Sequence, residues 1–134
     1  MRAFFDTSAV VPLIIQEPHS AKAREAWEQS TQRIGWQWLR VEAEAALSRR
    51  KGNAAAWNLW RSIESAIHWV EPDGEWLEHL KAFNRGVGLR AADAGHLYVM
   101  ERCGGSIPDL VLVTFDVEMT AAAGKRGVSV FAIR

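Results

Sequence analysis

Four carboxylates in this chain of 134 residues fall where a plain surface charge would not be expected: Asp6, Glu42, Asp93 and Asp116. Asp6 directly follows Ala3, Phe4 and Phe5, and Asp116 follows Thr114 and Phe115, so each closes a short apolar run just ahead of a helix. Aspartate in that place is also a common helix N-cap, and a cap does not exclude chemistry. Asp93 shares a face at helical spacing with Leu89, Ala92, His96, Leu97 and Met100, which puts it inside an apolar stripe. An ionised carboxylate there needs a cation, a hydrogen-bond network or a shifted pKa. Arg90, one turn earlier, could serve by a salt bridge, and a bound metal ion is the alternative. Glu42 flanks the stripe formed by Leu39, Ala43, Ala46 and Leu47 and can reach inward, whereas Glu44 lies about 160° round the helix from it and reads as a solvated charge. Acids gathered in one pocket repel, and some stay protonated unless a divalent cation is present. Hard cations such as Mg²⁺ take oxygen ligands and keep several waters.

The elements that must position these groups alternate between strand and helix. Residues 2–5, 67–70, 110–115 and 128–133 are short, apolar and β-prone; residues 18–29, 38–51, 53–65, 74–84 and 90–102 carry helical patterns. Such alternation predicts an α/β fold of three layers, α/β/α, around a central and mostly parallel sheet, with ligands bound outside the carboxyl ends of the strands. Both Asp6 and Asp116 occupy that edge.

Composition narrows the class further. At this length, with 49% hydrophobic residues, residues 1–134 are expected to form one domain with a sizeable core. The apolar runs are interrupted or too short to cross a bilayer, and no signal-peptide pattern is visible, so a soluble cytoplasmic protein without membrane association is expected. A lone cysteine, Cys103, cannot form an internal disulfide and reads as a packing residue. Sixteen basic against sixteen acidic residues give a formal net charge of zero, so any nucleic-acid binding must come from a local patch. Arg40, Arg49 and Arg50 are candidates for a phosphate-binding rim, against the plain reading of a solvated basic face. His96 reads as a hydrogen-bonded core residue that could orient the acids from behind. His19, His68 and His79 lack partners at ligand spacing, which argues against a zinc site. Among the tryptophans, Trp57 and Trp60 read as core, with an aromatic patch for bases or a partner helix as the alternative.

Four segments, in order, resemble those of the PIN-domain nucleases of the VapC toxin type: FFDTSAVVPLI, VEAEAALSRR, a Leu-Arg-Ala-Ala-Asp-Ala-Gly-His-Leu helix and a late Val-Thr-Phe-Asp. The resemblance spans residues 3–128, although residues 52–88 match no motif. It implies that Asp6, Glu42, Asp93 and Asp116 coordinate Mg²⁺ or Mn²⁺, with Thr7, Ser8 and Thr114 as polar neighbours. It also implies an endoribonuclease that leaves a 5′-phosphate and a 3′-hydroxyl, acts as the toxin of a toxin–antitoxin pair and is held inactive by a cognate antitoxin protein. A homodimer joined through the helices of residues 38–65 is expected, partly from the resemblance and partly from the tryptophan content. Two other readings stand beside this one. One is a catalytically silent domain of the same fold that binds RNA or protein. The other is an Asp-dependent phosphatase, for which Phe5 and Ser8 occupy places where a further Asp would be wanted.

Overall fold

In the computed structural model, which describes residues 1–131, four short strands form one sheet: β1 (Arg2–Phe5), β2 (Gln32–Trp36), β3 (His68–Val70) and β4 (Val111–Val113). Their order is β3-β2-β1-β4 and every pairing is parallel, with Phe4 opposite Ile34 on one side and Leu112 on the other. Parallel neighbours need crossover connections, and seven helices supply them: α1 (Thr7–Ile14), α2 (Ser20–Gln29), α3 (Trp38–Arg49), α4 (Ala54–Ser65), α5 (Trp76–Val87), α6 (Ala91–Gly104) and α7 (Val117–Lys125).

Strand alternation decides the layers. Ala3 and Phe5 point to one face, where Val10, Leu39, Leu47 and Trp60 from α1, α3 and α4 bury them; Phe4, with Ile34 and Leu112, faces Leu97, Met100 and Met119 of α6 and α7. Both faces of the sheet are thus covered, as an all-parallel sheet requires. The expected three-layer α/β/α arrangement is what the chain adopts. No helix among the described residues is long and apolar enough to cross a membrane.

Two local expectations change, while the helix expected after Asp6 forms over Thr7–Ile14 even with Pro12 within it. Residues 32–36 form a strand that the pattern did not announce, because its first half is polar and Gly35 interrupts the apolar run; a Cβ at Gly35 would lie 3.0 Å from the Trp69 ring. The strand expected over 128–133 is reduced to a single parallel bridge between Val130 and Leu112, and residues 132 and 133 lie outside the described part.

Candidate acidic site at the carboxyl ends of the strands

Asp6 is the first residue beyond β1, at the centre of the sheet, and is 2% exposed. It caps α1, accepting from the backbone N–H of Ala9 at 3.2 Å. The Ser8 hydroxyl donates to its Oδ1 at 2.7 Å and the Thr114 hydroxyl to its Oδ2 at 2.6 Å, so both oxygens are held from opposite elements. The same two hydroxyls accept the backbone N–H groups of Phe115 and Asp116, which ties the end of β4 to α1. Burial pushes the Asp6 carboxyl above its ordinary range, and the Asp93 charge adds to this; His96 and the two hydroxyls work the other way.

Glu42 arrives from the middle of α3. Its Oε1 accepts from the Thr7 hydroxyl at 2.7 Å and lies 2.7 Å from Nε2 of His96. A carboxylate only accepts, so Nε2 carries the hydrogen of this bond. The His96 ring is 1% exposed and meets the Trp36 indole edge-on, with centroids 5.2 Å apart. That approach needs glycine behind it, since a Cβ on Gly95 would fall 2.3 Å from Trp36 Cζ3. Burial raises the Glu42 pKa, but the hydrogen bond and charge interaction with His96, then the Thr7 bond, override it and leave the carboxyl below its usual value.

Asp93 sits in the first turn of α6 and Asp116 caps α7, accepting from Met119 N–H at 2.7 Å. Burial and then the Asp116 charge raise the Asp93 pKa, Arg90 and His96 oppose this, and the Glu42 charge adds to the rise. Arg90 lies between the two acids, with Nε 3.4 Å from Asp93 and Nη2 3.6 Å from Asp116. The salt bridge considered for Arg90 therefore exists, and it reaches both acids. Among the described residues no group of three or more His, Cys, Asp or Glu side chains is arranged as it stands to hold a metal ion.

Beside these acids opens a cleft of about 620 Å³ whose lining includes Thr7, Ser8, Glu42, Asp116, Arg49 and Arg50. Arg50 pairs with Glu17 at 2.9 Å, while Arg49 is in no ion pair among the described residues. Arg40 does not join them: its guanidinium is held by Glu64 and by Gln37, both at 2.9 Å, over the Trp69 ring, because it leaves α3 toward α4 rather than toward the strand ends. Glu44 is exposed as expected, yet it is more than a solvated charge, since it accepts the indole N–H of fully buried Trp60 at 3.0 Å. The cleft also contains Glu17, His19 and Phe115, none of which the spacing of charged groups singled out. The signal for His19 was available in its position: it precedes a helix at a place where Ser, Thr, Asp or Asn would cap, and its side chain makes no capping bond.

A parallel three-layer α/β domain with carboxylates drawn together at the carboxyl ends of its strands defines the class of protein. The family follows from the sequence match: the PIN domain model matches residues 3–125, nearly the whole chain, and the chain belongs to the PIN domain family. Among solved structures it is similar to PAE2754 from Pyrobaculum aerophilum, with 28% identity over 91% of this chain and 86% of that one and a TM-score of 0.65. It is also similar to Mycobacterium tuberculosis VapC20, a sarcin-ricin loop cleaving toxin, with 20% identity over 90% of this chain and 94% of that one and a TM-score of 0.74. No curated protein sequence matches.

Proposed function

We propose that this chain is a divalent-metal-dependent endoribonuclease that hydrolyses RNA phosphodiester bonds, and that it is the toxin of a toxin–antitoxin pair restrained by a cognate antitoxin protein. One observation carries the reading: Asp6, Glu42, Asp93 and Asp116, separated by up to most of the chain, interact electrostatically at one sheet edge, and two of them, Glu42 and Asp116, line a cleft that Arg49 and Arg50 also line. Membership of the PIN domain family supports it, and the likeness in fold to a sarcin-ricin loop cleaving toxin agrees with it.

The donor set fits Mg²⁺ or Mn²⁺. It is all oxygen, the Asp93 charge raises the Asp6 pKa while the Asp116 and Glu42 charges raise that of Asp93, and part of that repulsion is already offset by the cation nearest to hand, the Arg90 guanidinium. Asp6, Glu42, Asp93 and Asp116 would hold the ion, directly or through its waters. When bound, the ion lowers the pKa of a water and stabilises charge on the phosphate oxygens. The protein's own part is positioning. Ser8 and Thr114 fix both oxygens of Asp6, Thr7 and His96 fix one oxygen of Glu42, and Arg49, in no ion pair among the described residues, offers a guanidinium to the backbone of an RNA strand in the cleft. A single-stranded RNA assay with mapped ends tests the reading. Cleavage leaving a 5′-phosphate, abolished by EDTA and restored by Mn²⁺, is expected; cleavage indifferent to EDTA would overturn the metal assignment, and none at all would overturn the nuclease. We propose in addition that the protein pairs with itself through α3 and α4, where Trp38, Val41 and Leu59 are 47%, 53% and 43% exposed. Sedimentation at tens of micromolar should show a dimer.

A further inference from the structure

The lining of the cleft includes an aromatic pair that the acidic site does not use. The imidazole of His19 lies parallel to the Phe115 ring, with 2° between the planes and 4.8 Å between centroids. Phe115 is buried and immediately precedes Asp116, while His19 is exposed, and both line the cleft, so Phe115 covers one face of an imidazole that remains accessible at the cleft. The ring is also held in place. Fully buried Ser20 accepts the Glu17 N–H at 2.8 Å and donates to the Ile15 carbonyl at 3.3 Å, and Glu17 is anchored on Arg50, so the turn carrying His19 is pinned on both sides. His19 performs no local task that explains it, since it gives α2 no side-chain cap.

We propose that the His19–Phe115 stack is a nucleobase platform, which receives one base of a single-stranded RNA segment next to the scissile phosphate. This inference rests on the ribonuclease reading. Arg49, in no ion pair among the described residues, and Asp116, one of the acids that would hold the metal ion, line the same cleft as the platform, so a phosphate received between the guanidinium and that ion would bring the neighbouring nucleotide to the imidazole. Bases in single strands and loops are splayed out and recognised by stacking on aromatic rings, histidine included, whereas paired bases keep both faces covered. His19 is thus a positioning and specificity residue with no proton-transfer role.

The test is abasic scanning. A labelled single-stranded RNA that the protein cleaves is remade with one abasic site at each position around the cleaved bond. Binding is measured in Ca²⁺ with the Asp116→Asn variant, so that no strand is cut. One abasic position should weaken binding about tenfold, about 1.4 kcal/mol. With His19→Ala added, the intact RNA should bind about tenfold more weakly and that position should no longer matter, whereas His19→Phe should restore both affinity and abasic sensitivity. For cleavage by the otherwise wild-type chain, His19→Ala should raise KM with little change in kcat. If His19→Ala leaves the abasic profile unchanged while wild-type protein cleaves RNA, the platform is wrong and the nuclease reading stands. If wild-type protein neither binds nor cleaves any RNA, both fall.

Discussion

Nε2 of His96 and Oε1 of Glu42 lie 2.7 Å apart, so the one glutamate of the acidic group is aimed from α6, the helix that also carries Asp93. Glu42→Gln is expected to lower RNA cleavage at least about a hundredfold, the scale of losing a group that positions a catalytic metal. Its effect on stability differs from what charge repulsion alone suggests. A depressed carboxyl pKa contributes stability that is present above the ordinary value of 4.5 and is lost as pH falls through the depressed one. The variant should therefore be less stable than wild type at neutral pH, by up to about 1 kcal/mol, and equal to it in acid. Urea unfolding at both pH values checks this; an unchanged neutral stability would mean that the His96 bond contributes nothing.

Glu44, two residues on, serves the other side of the helix. Glu44→Gln keeps an acceptor for the Trp60 indole and should leave cleavage within a few-fold, whereas Glu44→Ala should cost about 1 kcal/mol with cleavage by the folded fraction unchanged. A loss of cleavage in Glu44→Gln alone would reverse the assignment of the two glutamates.

Asp6 behaves in the opposite sense to Glu42. Its raised pKa means that folding favours the neutral form, so stability present below the ordinary value of 3.8 is lost as pH rises through the raised value. Asn can cap α1 as well as Asp and carries no charge to bury. In EDTA, Asp6→Asn should melt at least as high as wild type at pH 7, and its advantage should disappear near pH 3. Millimolar Mn²⁺ should raise the midpoint of wild type and leave the variant unmoved. A Mn²⁺ response shared equally by both proteins would remove Asp6 from the ligand set.

Arg90 competes with any bound cation, since its guanidinium stands between Asp93 and Asp116 while remaining 78% exposed. Arg90→Ala should tighten Mn²⁺ binding several-fold in calorimetry. Weaker binding in that variant would show that the guanidinium organises the acids instead of standing in for the metal.

Gly95→Ala tests the packing behind Glu42. A methyl group there must displace the Trp36 indole, against which His96 is set, so a loss of about 1–3 kcal/mol is expected together with reduced cleavage. Trp36→Leu in the same background should recover stability by making room. Failure of that rescue would locate the strain elsewhere.

How far the sequence could be read depended on the range of the interactions involved. The apolar run before Asp6, the stripe around Asp93 and the flank position of Glu42 are set by periods of two and 3.6 residues, and these are visible in any window. Gln32–Trp36 escaped because its pairing with β1 and β3, and the need for glycine beneath Trp69, exist only across the sheet. Arg40 and Arg49 look alike in sequence, yet one meets Glu64 on the next helix and the other faces the cleft. His19 and Phe115 lie far apart in the chain, and nothing local declares that their rings meet.

The central place of β1 also fixes when the site can form. Asp6 is made long before the hydroxyl that holds its second oxygen, which is 108 positions later on the stretch that follows β4. A chain emerging from the ribosome can pair β1 with β2 early, yet it cannot close the β1–β4 edge or bring Asp116 beside Asp93 until β4 and the start of α7 have been made. The topology therefore works as a timer: the acidic edge is assembled last, after the other three strands of the sheet are in hand.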